Sequence, residues 1–266
     1  MNTSIDDSPW LRPEWADGPL HPRIGSVMSC RAGGVSLAPF DSLNLGTAVG
    51  DDPIGVSANR ARFHQVCGSQ PVFLKQVHGA RVVKLTQADA RADAVLLEAD
   101  ASVTTESGLA CTIQVADCLP VLFASPEGRA VGAAHAGWRG LAGGVLQATA
   151  LAVCELAGCA PADLSVWLGP CIGPRRFEVG ADVLAGFGLD VQDGQPTPRF
   201  VRQFGSGADA PKWLADLPGL ARDRLNALGV VKVSGGQWCT VEDASRFFSF
   251  RRDRVTGRMA AAIWIR

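Results

Sequence analysis

Two histidines and one cysteine stand out by where they fall in the chain. His78 closes the run Leu74-Lys75-Gln76-Val77-His78-Gly79, and His135 lies in Ala133-Ala134-His135-Ala136-Gly137-Trp138-Arg139-Gly140. Cys118 lies in Val115-Ala116-Asp117-Cys118-Leu119-Pro120. Each sits at the end of an expected strand, beside turn-forming residues, where a side chain emerges from the core and a ligand can approach. Two imidazoles and a thiolate make a donor set suited to Zn²⁺, with a fourth position left for water or substrate. The spacings of 40 and 17 residues are too long for a local finger and ordinary for a site assembled by a fold. Cys118 and His135 can equally form a nucleophile–base pair without a metal. Strand-end histidines and cysteines are also common in plain cores, and spacing alone favours that plainer reading. The other two histidines, His21 and His64, read as incidental.

Cations could complete such a site. Arg139, Arg251, Arg252 and Arg258 are either surface charges or cleft residues, and Arg251-Arg252 follows the apolar run Phe247-Phe248-Ser249-Phe250, which points at least one toward a cleft. A helix expected over 141–157 begins just after His135, so its N-terminal N–H groups could help hold an anion there. Asp117 is the nearest carboxylate in sequence to Cys118. No Walker loop or dinucleotide fingerprint accompanies the glycine pairs Gly143-Gly144 and Gly235-Gly236.

The elements that must position these residues are mostly strands. Val72–Val77, Arg81–Leu85, Ala101–Thr105, Leu109–Val115, Val121–Ala124, Ala130–Ala134, Ser165–Leu168, Val230–Val233 and Ala260–Ile265 read as β-runs. Helices are expected over Asn59–Val66, over 141–157 (Leu141, Val145, Leu146, Thr149, Val153 and Leu156, stopped by Gly158) and around Leu217–Leu228, closed by Gly229. Residues 1–22 read as an irregular arm, 23–266 as a single catalytic domain, and 188–211 as a long loop. Many adjacent strands are joined by turns too short for helical crossovers, which predicts an α+β fold: one layered domain of mixed β-sheets flanked by helices.

Composition bounds the function. With 266 residues, 47% of them hydrophobic and 19% charged, the chain can bury a large core. A balance of 25 Lys+Arg against 26 Asp+Glu argues against nucleic acid as a bulk electrostatic partner and leaves room for a small anion held by a few arginines. No apolar stretch is long enough to span a bilayer and no secretory pattern opens the chain, so the expected partners exclude a membrane and the expected address is cytoplasmic. The eight cysteines contain no CxxC pair, which removes zinc fingers and thioredoxin-like motifs and makes most of them reduced, buried thiols.

The motifs taken together resemble one family. Leu43-Asn44-Leu45-Gly46, Lys75-Gln76-Val77-His78-Gly79, Ala116-Asp117-Cys118-Leu119-Pro120, His135-Ala136-Gly137-Trp138-Arg139-Gly140, Leu168-Gly169-Pro170-Cys171-Ile172-Gly173-Pro174 and Phe247-Phe248-Ser249-Phe250-Arg251-Arg252 run in the order of the laccase-domain family. That family is also called multicopper polyphenol oxidase, purine nucleoside phosphorylase or peptidoglycan editing factor. The resemblance implies a catalytic zinc on His78, Cys118 and His135, and substrate contacts from among Asn44, Arg60, Gln76, Arg139 and Arg251. It implies phosphorolysis of adenosine, inosine, guanosine and methylthioadenosine, with nucleoside and phosphate as small-molecule partners, and hydrolytic deamination of adenosine. Zinc lowers the pKa of bound water, as deamination requires, and Asp117 is the candidate proton shuttle. Two alternatives stand beside it: a Cys–His amidase acting on a peptidoglycan precursor, and a polyphenol oxidase. Copper fits less well, because four histidines cannot build several copper centres. Cys171 is expected to stay off the metal, since a second thiolate would close the open position. The family often has tyrosine where this chain has Phe177 and Phe250; this chain has none.

Overall fold

A computed structural model describes residues 8–91, 93–189, 197–203 and 211–266. The strands are β1 (Trp10–Leu11), β2 (Ile24–Ser29), β3 (Gln70–Val72), β4 (Val82–Lys84), β5 (Ala101–Thr104), β6 (Leu109–Val115), β7 (Leu119–Ala124), β8 (Val131–Ala136), β9 (Ser165–Leu168), β10 (Glu178–Val179), β11 (Phe200–Gln203), β12 (Lys212–Ala215), β13 (Lys232–Gly235) and β14 (Met259–Ile265). The helices are α1 (Pro53–Cys67), α2 (Trp138–Ala142), α3 (Val145–Ala157), α4 (Ala181–Gly186), α5 (Leu217–Ala227) and α6 (Phe250–Asp253).

Two mixed sheets form the body, and the fold is α+β. One runs β1-β2-β14-β6-β3, the other β13-β9-β7-β8-β5-β4, and a small antiparallel sheet runs β10-β12-β11. Strand alternation sorts the side chains into layers. In β14 and β6, Ala261, Ile263, Cys111 and Ile113 face the second sheet, where they meet Leu122, Ala133 and Trp167. Ala260, Ala262, Trp264 and Ala110 face the other way, onto Phe63 and Cys67 of α1. The far side of the second sheet, including Val121, Phe123 and Ala134, packs on Leu146, Ala150 and Val153 of α3 and Leu225 of α5. The layers are therefore helix, sheet, sheet, helices.

Several elements differ from expectation. The arm is not wholly irregular, because Trp10–Leu11 pairs antiparallel with β2; residues 1–7 lie outside the described residues. The first helix starts at Pro53, six residues early, because Asp52 caps it by accepting from the Ile54 and Gly55 N–H groups and proline suits a first turn. The expected helix over 141–157 is two helices, broken where Gly144 takes φ 91°. Strand β3 stops at Val72, β4 spans only Val82–Lys84, and β13 runs two residues later than expected. Within 188–211, Phe200–Gln203 is a strand of the small sheet; residues 190–196 and 204–210 lie outside the described residues.

The loop before α1 is fastened by one amide. Asn59, fully buried, donates to Ser36 Oγ (2.9 Å) and to the carbonyls of Ser42 and Asn44 (3.0 Å each), and accepts from the Val35 N–H at 2.9 Å. Removing it strands several buried polar groups. Asn59→Ala is expected to lower unfolding free energy by roughly 2–4 kcal/mol, read as a lower urea midpoint with an unchanged slope.

Candidate metal centre

The site forms at the mouth between the two large sheets. The turn between β6 and β7 carries Cys118, and β8 presents His135 next to its end, on the inter-sheet side set by the parity of Val131 and Ala133. His78 is not at a strand end. It sits in a turn beyond the Lys75–Glu98 bridge with φ 62°, a left-handed conformation that is rare for a residue with a side chain.

Asp100 holds that turn. Its fully buried carboxylate accepts the consecutive N–H groups of Val77 (3.1 Å), His78 (2.9 Å) and Gly79 (2.7 Å). It also accepts from His135 Nδ1 at 2.8 Å, while the Asp100 carbonyl accepts the His135 backbone N–H at 2.7 Å. One residue thus fixes the His78 backbone and the His135 ring. With Nδ1 committed, His135 offers Nε2 to the site. Burial alone would raise the Asp100 carboxyl; His135 and the Gly79 and Val77 N–H groups outweigh it and hold it below the usual carboxylate range.

The donor atoms of His78, Cys118 and His135 all lie within 4.8 Å of one another, with Cys118 Sγ 3.9 Å from His78 Nε2. The two rings meet edge to face at 4.8 Å between centroids. Two imidazoles and a thiolate converging this closely fit a borderline transition metal, and the group can hold one ion. The thiol is prepared for it: burial pushes Cys118 up, but the charge and hydrogen bonding of His135 and His78 bring it down to about 6. Burial lowers His135, while Cys118 and Asp100 raise it to about 9. Glycine keeps the space open, since a Cβ on Gly137 would lie 3.0 Å from both Cys118 Sγ and His78 Cδ2, and one on Gly140 would lie 2.7 Å from the Gly79 carbonyl oxygen.

These donors lie in the wall of a cavity of about 470 Å³ that Gln76, Phe250 and Arg258 also line. Gln76 reaches it with its amide spent, donating to the Gln114 carbonyl and accepting the Gln114 N–H, both at 2.8 Å. The structure does not bring the other expected substrate contacts to this wall. Asn44 is fully buried, donates to Asp51 and the Gly46 carbonyl, and accepts from the Gly46 and Arg258 N–H groups. Arg60 donates to the Leu45 carbonyl and stacks 3.9 Å over Phe73 in a neighbouring cleft. Arg139 lies over Trp138, and Arg251 over Phe177, donating to the Glu178 carbonyl. Asp117 is not available as a shuttle: its oxygens accept from Thr240 Oγ1 and the Arg251 N–H, both at 2.6 Å. The helix expected to face His135 is also displaced, because α2 and the Gly143-Gly144 break intervene.

Sequence reasoning misses Asp100 and does not separate Arg258 from the other candidate arginines. Asp100 precedes an apolar strand and gave no motif, because its partners are mostly backbone groups. Arg258 was one of four equivalent arginines; burial lowers its pKa, and its Nη1 donates to the carbonyls of Thr256 and Gly257. Its nearness to Met259, the first residue of an all-buried strand, was the available signal.

Comparison with known proteins adds three findings. A family model described as multi-copper polyphenol oxidoreductase laccase matches residues 25–266. A Pseudomonas aeruginosa protein named purine nucleoside phosphorylase is 46% identical over 256 residues, covering 96% of this chain and 98% of its own; an Escherichia coli protein named purine nucleoside phosphorylase YfiH is 43% identical over 255 residues, covering 95% and 97%. Among solved structures, Neisseria meningitidis protein NMB0706 superimposes with TM-score 0.84 at 43% identity, covering 97% of this chain and 99% of its own, and YlmD from Geobacillus stearothermophilus with TM-score 0.85 at 33%, covering 99% and 98%.

The Asp100 clamp makes a direct prediction. In Asp100→Asn the His135 imidazolium loses its anion, so the Cys118 thiolate loses support and its pKa must rise. In metal-free wild-type protein, Cys118 alkylation by iodoacetamide is expected to show its midpoint near pH 6, and in Asp100→Asn at higher pH. Metal affinity of the variant, measured by chelator competition, is expected to fall about 10- to 100-fold.

Proposed function

The chain belongs to the multi-copper polyphenol oxidoreductase laccase family, and on that footing we propose that it is a zinc-dependent purine nucleoside phosphorylase. The observation that carries the proposal is the make-up of one cavity: three converging donors with an open face, a half-buried arginine and a half-exposed aromatic ring. The names of the Pseudomonas and Escherichia relatives support the same reaction.

Zinc, held by His78, Cys118 and His135, would supply Lewis acidity. In phosphorolysis a phosphate oxygen bonds to C1′ as the bond from C1′ to the purine nitrogen breaks and its electron pair leaves with the base. Arg258, in the cavity wall, is the candidate for holding the phosphate. Its Nε and Nη2 have no hydrogen-bond partner among the described residues, and a half-buried guanidinium binds a dianion more strongly than one in open water. Phe250, whose ring lies 5.9 Å from the Arg258 guanidinium, offers an apolar face on which a purine can stack. A phenylalanine suffices for stacking, so the lack of a tyrosine hydroxyl costs this reading nothing.

Adenosine deamination is a weaker companion activity. It needs a group to shuttle the proton, commonly a carboxylate, and among the described residues no Asp or Glu lines the cavity. A second reading has its own observation. Asp100, His135 and Cys118 stand in the order orienter, base, nucleophile, with the thiol lowered to about 6, which is the arrangement of a cysteine amidase such as one acting on a peptidoglycan precursor.

The test is a product assay on zinc-loaded protein with inosine or adenosine and phosphate. Free purine and ribose 1-phosphate are expected, dependent on both substrates. Arg258→Met is expected to raise KM for phosphate about 10- to 100-fold while changing the nucleoside KM little. Cys118→Asp should keep weak metal binding and some turnover where Cys118→Ala keeps neither, because a ligand can be replaced and a thiolate nucleophile cannot. No cleavage of any purine nucleoside, with amide hydrolysis by verified metal-free protein, would replace this reading with the amidase.

A further inference from the structure

Helix α3 ends in a left-handed turn at Gly158, φ 62° and ψ 45°. The N–H groups of Gly158 and Cys159 both donate to the Cys154 carbonyl, the second at 3.1 Å. A helix end closed in this way brings together the side chains that bracket the turn, and the contact is ordinarily apolar. Here the bracketing residues are Cys154 and Cys159, both free thiols. Cys154 is buried in the core between the second sheet and its helices, and Cys159 packs against that core while half-exposed. The turn is fastened on both sides: Arg129 Nη1 donates to the Ala157 carbonyl at 3.1 Å, and Asp163 accepts the Ala160 N–H at 2.9 Å. The chain's other adjacent cysteines, Cys171 and Cys239, are partners in a β-bridge, but their sulfurs are engaged elsewhere. Cys239 Sγ accepts the Gly173 N–H at 3.3 Å, and Cys171 Sγ donates to the Ile172 carbonyl.

We propose that Cys154 and Cys159 form a redox-modification site, which a small hydroperoxide such as hydrogen peroxide converts to an intramolecular disulfide. The exposed Cys159 reacts first. Its thiolate attacks a peroxide oxygen, an S–O bond forms, the O–O bond breaks, and the departing hydroxide takes a proton to become water. The Cys154 sulfur then attacks the Cys159 sulfur. The S–S bond forms, the S–O bond breaks, and hydroxide leaves as a second water with the Cys154 proton. Two thiols are oxidised by two electrons and one peroxide is reduced. Burial and the neighbouring Cys159 push the Cys154 thiol up to about 12, which leaves the first, peroxide-reducing step to Cys159. The disulfide would close across a turn in which two N–H bonds to the Cys154 carbonyl already fix the backbone between the two residues. It would staple the end of the helix that packs on β8, the strand that carries His135.

Glu155 lies between the two cysteines, so cleavage after glutamate separates them. Reduced full-length protein is treated with a slight excess of hydrogen peroxide, unfolded in N-ethylmaleimide and cleaved. The expected result is a Cys154 fragment linked to a Cys159 fragment, with one maleimide on Cys171 and about 2 Da lighter than the same two fragments with Cys154 and Cys159 as thiols, separated by reductant. The Cys159 fragment also contains Cys171, so Cys159→Ser decides which sulfur is linked; the link is expected to vanish in Cys159→Ser and in Cys154→Ser, and to persist in Cys171→Ser. Alkylation of both Cys154 and Cys159 at a peroxide dose that oxidises Cys118 would overturn the proposal. So would a link that survives Cys159→Ser, or Cys159 recovered as sulfinic acid beside an alkylated Cys154.

Discussion

Everything at the candidate metal centre depends on one buried carboxylate. Asp100 is wholly removed from water, a position that is costly for a charge unless donors surround it. It has four: three successive backbone N–H groups and the Nδ1–H of His135. The same bonds hold His78 in a backbone conformation that a residue with a side chain otherwise avoids. The anion fixes the two histidines relative to each other, and the histidines in turn lower the Cys118 thiol. Removing the charge would release a turn, a ring and a thiolate together.

The sheets explain why this happens where it does. The inter-sheet core is filled by side chains such as Ile113, Ile263 and Trp167, and it opens where β6 hands over to β7 and β8 ends. His135 keeps the inward parity of its strand to that edge, so an imidazole replaces what would be another core side chain. Cys118 packs against the same cluster from the connecting turn. The donors therefore rest on rigid elements on one side and face an open cavity on the other, a division suited to a catalytic metal. Arg258, beside the start of β14, and Phe250, at the start of α6, bring charge and aromatic surface to the same cavity from a different part of the chain.

How much of this was legible in the sequence depended on whether the partner was a side chain or backbone. Strands β6 and β9 could be read to the residue because they are apolar runs bounded by turns, and the three donors because imidazoles and thiols before turn residues are conspicuous. Asp100 was illegible, since three of its four partners are main-chain N–H groups that any sequence supplies. The start of α1 was hidden because Asp52-Pro53 reads equally as a turn and as a capped first turn of helix. The small sheet escaped because β10 is two residues long and β11 and β12 four each, too short for alternation to register. Among the arginines, composition could not separate Arg258 from Arg139 or Arg251; only the fold decides which guanidinium reaches the cavity.

The claim that two imidazoles and one thiolate share a single zinc, with a position left open, is tested most directly by zinc K-edge X-ray absorption on the purified, zinc-loaded protein. The account predicts one sulfur at about 2.3 Å and two nitrogens at about 2.0–2.1 Å, with one further light atom. A first shell with no sulfur, or with two or more, would contradict it.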